Sequence, residues 1–208
     1  MQQRLLALPV IFFALIILLI SFYRASELRF NFSPTPAPNP ISIKIENPIE
    51  YKLPEAGWLN PQNPVWPIRA AFDKLRLAFT IGESQKAGVL LYLADHRLAQ
   101  SVQLAKDGEF DKSVSTLTKA EKYLEAAMQA EYKARIDGAQ TGELMNKIYL
   151  ASIAHKQNIE QISSISPDDA RSYVVKIMNY PNMVLEQVSP MIVAVDNSLT
   201  ENRTLDKK

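Results

Sequence analysis

From Leu5 to Tyr23 the chain reads LLALPVIFFALIILLISFY, nineteen residues without a charge. At ~1.5 Å rise per residue, such a helix roughly matches the ~30 Å hydrocarbon core of a bilayer. The sequence therefore predicts one N-terminal transmembrane helix over Leu5 to Tyr23. Pro9 falls in the second turn, where a membrane helix tolerates a kink. The competing assignment is a cleaved signal peptide opened by Gln2, Gln3 and Arg4, but its apolar core is normally shorter and ends at a small-x-small site. Here the run ends in Ser21-Phe22-Tyr23-Arg24, a poor cleavage site, so an uncleaved signal anchor is expected.

Arg4 on one side and Arg24 and Arg29 on the other leave the flanking charges nearly balanced. Long domains translocate with little regard to charge, and only about four residues precede the run. The expected topology is thus N-terminus cytoplasmic, bulk extracytoplasmic, in the cell membrane. Ala7, Ala14 and Ser21 recur every seven residues as a candidate contact stripe for a partner helix. The plainer reading is that a Leu/Ile/Phe-rich anchor carries a few small residues by chance.

Nine of the thirteen prolines lie between residues 31 and 67. The stretch 34 to 40, PTPAPNP, favours extended polyproline II and a semi-rigid spacer of ~3.1 Å per residue. A ligand for a polyproline-recognising domain is the functional alternative. Ile41-Ser42-Ile43-Lys44-Ile45 alternates like an isolated strand. The predicted organisation is an anchor over 1–30, a Pro-rich linker over 31–67, an extracytoplasmic helical bundle over 68–198 and a polar, disordered tail over 199–208.

The bundle is read from periodicity. Ile68, Phe72, Leu75 and Phe79 recur at steps of four, three and four and define an apolar helical face expected to pack inward. Trp66 at the start of that helix reads as a packing anchor. A second helix is expected from about Ser84 to Lys106, with Ala87, Leu90, Leu91, Ala94, Leu98, Val102 and Ala105 inward and Lys86, Asp95, Arg97 and Lys106 outward. Asp107-Gly108 and Asp137-Gly138 supply matching stops around a third helix that begins near Phe110 and carries Val114, Leu117, Ala120, Leu124, Ala127, Met128 and Ile136 inward. A fourth helix follows Thr141, a candidate N-cap, with Leu144, Ile148, Ala151, His155, Ile159 and Ile162 on one face. Ser166-Pro167-Asp168-Asp169 opens a fifth element to about Ser198, which Pro181 and Pro190 should kink or split. Long helices with short connections predict an all-α, up-and-down antiparallel bundle of about four to five helices.

Composition narrows the function classes. Without cysteine there is no disulfide, thiolate metal site or cysteine nucleophile. A net charge of +1, with eighteen basic and eighteen acidic residues between 68 and 208, provides no nucleic-acid-binding patch. Of the two histidines, His96 reads as a surface residue and His155 as the one ionisable group on an apolar stripe, a candidate buried switch. The acidic residues read as solvated groups on outer helical faces. No metal, nucleotide or hydrolase motif occurs, so no catalytic residue, metal ligand or cofactor is assigned.

Asn63-Pro64-Val65-Trp66-Pro67-Ile68-Arg69, then Lys74-Leu75-Arg76-Leu77-Ala78-Phe79-Thr80, Lys86-Ala87 and Leu93-Ala94-Asp95-His96-Arg97-Leu98-Ala99 together resemble an uncharacterised bacterial family of extracytoplasmic helical domains. The similarity covers roughly Leu59 to Met128. Trp66 stands where the family commonly has tyrosine or phenylalanine, and Arg69 replaces its usual lysine. The resemblance implies an exported helical domain and brings no activity or functional residues. The expected function is non-enzymatic: an interaction or sensory accessory module whose partners are the lipid bilayer and a membrane or envelope protein. A structural envelope scaffold or spacer and a small-ligand-binding helical domain are the alternatives.

Overall fold

The computed structural model describes residues 13, 14, 17, 30–32, 51–57, 61–63 and 65–205. Among them the chain is all-helical, without strands, and packs as a bundle of α1 (Trp66–Phe79), α2 (Glu83–Lys106), α3 (Phe110–Ile136), α4 (Gly142–Ile165), α5 (Asp168–Ile177) and α6 (Asn179–Leu205). Gly108 and Gly138 close α2 and α3 with φ of 80° and 89°, a conformation that a side chain disfavours, so Asp-Gly works as the stop its sequence announces.

Side-chain pairings give the directions. Ser101 and Ser113 exchange hydroxyl-to-carbonyl hydrogen bonds of 2.9 Å near one end of the α2/α3 pair. Lys133 meets Glu83 at 2.7 Å at the other end. Thr141, just before α4, and His155 of α4 reach Glu131 and Glu121 of α3, and Arg135 of α3 reaches Met191 of α6. α2 and α4 therefore run one way and α3 and α6 the other, with the short α5 linking α4 to α6.

The apolar core forms two blocks. One is built on Leu90, Leu91, Leu124, Met128, Met145, Ile148 and Val184; the other on Leu98, Phe110, Leu117, Ile159, Ile162 and Val174. Asp95, Glu121 and His155 fall between the blocks along their helices and are all buried.

Several expectations change. The outward assignment of Asp95 and Arg97 is wrong, because both are buried. The inward face assigned to α1 is reversed. Ile68, Phe72, Leu75, Phe79 and the following Ile81 are between 51% and 90% exposed, while Trp66 and Ala70 are buried. The reason is that Trp66, Ala70, Asp73 and Leu77 form a competing face on the opposite side of the helix. That face is held by Arg97, whose guanidinium stacks 4.1 Å over the Trp66 ring and donates to Asp73 at 3.0 Å. Ile136 also lies exposed, at the last turn of α3. The fifth predicted element splits at Met178, before Pro181, which takes a place in the first turn of α6 where no amide hydrogen is needed. Pro190 does not end α6, which continues to Leu205 across the expected polar tail.

Phe30–Phe32 and Tyr51–Gly57 lie against the bundle. The Phe32 amide donates to Asp111 at 2.8 Å, Phe30 stacks on Phe32 at 5.4 Å, and Tyr173 packs edge-on to Phe30. Gln100 donates to the Ala56 carbonyl. Most of Leu5 to Tyr23, including Ala7 and Ser21, lies outside the described residues, as does 34–45; Phe13, Ala14 and Ile17 are helical and exposed. Among the described residues no helix is long and apolar enough to cross a membrane.

Candidate functional site

α2, α3 and α4 place Asp95, Glu121 and His155 on their buried faces, and the bundle brings the three together. His155 of α4 is fully buried. Its Nδ1 lies 2.7 Å from Glu121 Oε1 on α3, and its Nε2 lies 3.1 Å from Asp95 Oδ1 on α2. Tyr51, in the segment before the helices, donates its phenol to Asp95 Oδ2 at 2.6 Å. Burial alone would push the imidazole down, but the Glu121 charge and the hydrogen bonds the ring donates to both carboxylates outweigh it and raise His155 to about 9. The ring is therefore an imidazolium at neutral pH, with both N–H groups donating. Burial and the adjacent Asp95 push the Tyr51 phenol well above its ordinary value, so it stays protonated.

The layer is a charge sandwich closed to solvent. Among the described residues, Glu121 Oε2 has no hydrogen-bond partner. A substrate could touch the imidazole only by prising α2, α3 and α4 apart. What the arrangement does in place is orient three helices and tie Tyr51 to them.

A second buried acid supports the α3/α4 turn. Thr141 stands at the N-cap position of α4 but does not cap it; its hydroxyl donates to Glu131 Oε1 at 2.6 Å, and Arg135 also reaches that oxygen at 3.3 Å. His96 is half-buried, not a surface residue. Its Nε2 accepts from Arg69 at 3.1 Å, and burial together with the Arg69 charge pushes its imidazole down, toward the neutral form that accepting requires.

The sequence singled out His155 and missed its partners. The signal was present: Glu121 fills the gap between Leu117 and Leu124, Glu131 that between Ala127 and Ala134, and Asp95 that between Leu91 and Leu98. Each stands at a position that helical spacing assigns to the core. Reading acidic residues as solvated by default hid the pattern, which is corrected by their burial.

An accessible feature among the described residues is the outer side of α1. Its outward face carries only apolar side chains, and its acid, Asp73, turns inward to Arg97. Between the end of α1 and the start of α2, an open cleft of about 350 Å³ is lined by Lys74, Leu77, Ala78, Thr80, Gly82, Glu83 and Lys86. Glu83 is already engaged there, by Lys133 and Lys86. Among the described residues no group of histidine and carboxylate side chains is arranged to hold a metal ion.

Residues 59–169 match the family described as a domain of unknown function, DUF5667, over more than half of the chain. The chain belongs to that family. No curated protein and no solved structure matches it significantly. The DUF5667 region takes in α1 to α4, with Asp95, Glu121, His155 and the Asp73–Arg97 clip. Tyr51 and α6 lie outside it, so the family region contains the buried layer but not the segment that the layer holds.

Proposed function

We propose that this DUF5667 protein is a membrane-anchored cell-envelope protein whose extracytoplasmic helical bundle works by binding, as an interaction or sensory accessory module. The observation that carries the reading is the outward face of α1. A continuous row of Ile68, Phe72, Leu75, Phe79 and Ile81 in solvent is the mark of a surface made to be covered. The apolar run from Leu5 to Tyr23 supports membrane attachment. The buried layer of His155, Glu121 and Asp95 is enclosed by helices, which favours an architectural role for it over turnover of a substrate.

The test is crosslinking of the full chain in its native membranes, with adducts identified by mass spectrometry and compared with Phe72→Ser/Leu75→Ser. Adducts lost in the double variant support a binding module working through α1. An identical adduct profile overturns a protein partner on α1. Extraction of the full chain by alkaline carbonate overturns the anchor.

A further inference from the structure

We propose that α1 is an interfacial helix that lies on the lipid bilayer, its Ile68, Phe72, Leu75, Phe79 face immersed at the headgroup boundary and its basic flanks on anionic lipid. The proposal rests on the anchored reading above and names the surface that the bundle meets.

The first ground is reach. Phe30–Phe32 is docked on the bundle through the Asp111 hydrogen bond and the ring contacts with Tyr173. Only residues 24–29 separate that docking point from the apolar run ending at Tyr23. At ~3.3–3.6 Å per extended residue they span at most about 25 Å. The 24 residues of α2 alone make a helix of about 36 Å. The tether is shorter than the bundle is long, so it keeps the docked end of the bundle within about 25 Å of the bilayer, and the prolines of 34–40 come after the docking point, where they set no such distance.

Charge and shape are the second ground. Around α1, Trp66, Ala70, Asp73 and Leu77 point to the bundle and the apolar row points directly away. Arg76 flanks that row on one side and Lys74 lies toward the other, both exposed and with no acid among them, while Arg69, beyond Arg76, turns to His96 on α2. An apolar face bordered by Arg and Lys is the pattern of helices that lie in a membrane interface, where buried apolar area and attraction to anionic lipid add. Tethering makes the lipid encounter effectively intramolecular, so a modest intrinsic affinity suffices.

The absence of cysteine allows a direct test on the full chain. Phe72→Cys, Leu75→Cys and, on an exposed site of α4, Glu160→Cys would each carry a nitroxide label. The chains would be reconstituted into vesicles of phosphatidylcholine and phosphatidylglycerol, and accessibility to oxygen compared with that to a water-soluble nickel chelate. The expected result is an oxygen-to-nickel ratio several-fold higher at 72 and 75 than at 160. Equal, water-like ratios in chains that float with the vesicles overturn the α1 proposal and leave the anchor standing. Dipolar broadening between labels at 72 assigns the face to a second copy of the chain and also overturns it. Chains that fail to float overturn both readings.

Discussion

Glu121 Oε1 lies 2.7 Å from His155 Nδ1, with both side chains fully buried, and this pair joins α3 to α4 midway along the bundle between two apolar blocks. Asp95 adds α2 and Tyr51 to the same imidazole. Such a layer is costly to break and not costly to replace. Removing one member strands the others, whereas removing all the charges removes the desolvation cost as well. His155→Leu is expected to lose ~3–5 kcal/mol, while Asp95→Leu/Glu121→Met/His155→Leu regains most or all of that loss. Urea unfolding of the two variants checks this, and a triple variant as unstable as the single one would refute the account.

The same layer sets a pH dependence. His155 is raised from 6.5 to about 9 in the folded chain, so its contribution to stability is fully present below pH 6.5 and is lost as pH rises toward 9. The groups facing the imidazole are Glu121, Asp95 and, behind Asp95, the Tyr51 phenol, which burial keeps protonated in that range. The thermal midpoint should fall between pH 6.5 and about 9, and the fall should shrink in Glu121→Gln. A flat midpoint across that window in the unsubstituted chain contradicts the charged state assigned to His155.

Leu98 and Leu124 flank the layer, one in each apolar block, and both are fully buried. Leu98→Ala and Leu124→Ala should each cost ~2–5 kcal/mol, the transfer of the side chain plus the cavity it leaves. Denaturant midpoints unchanged by both would contradict the register of α2 on α3.

The attachment of α1 depends on few contacts, chiefly Arg97 with Asp73 and Trp66. Arg97→Leu leaves the Asp73 carboxylate without that partner and removes the cation from the indole face. Its expected effect is faster amide hydrogen exchange throughout α1, with exchange in α3 and α4 little changed. Phe72→Ser, on the exposed side, should shift stability by no more than ~0.5 kcal/mol. Equal protection of α1 in Arg97→Leu and the unsubstituted chain would show that the clip does not hold the helix.

Local signals made much of the architecture legible. Apolar spacing, together with Gly108 and Gly138, placed α2 to within a residue of its observed start, and α3 close to both its ends. The split of the last element was legible from its prolines, though not the residue at which it falls. Helical phase and chain breaks are properties of a few neighbouring residues, which is why sequence alone carries them.

Which face of a helix is covered depends on what the rest of the chain presents to it. α1 has two candidate faces, and the apolar one would have won on hydrophobicity. Buried Arg97 on α2 offers a stacking and charge-paired seat to Trp66 and Asp73, so the mixed face packs and the phenylalanines point away. Likewise His155 was visible as a polar residue in an apolar stripe, but Glu121 and Asp95 became its partners only when α2, α3 and α4 were brought side by side, 34 and 60 residues from it in sequence. Sequence by itself determined where the helices run, because periodicity and turn chemistry are local. Only the tertiary structure decided which charges are buried and which apolar face is exposed, because desolvation and pairing depend on neighbours that folding alone supplies.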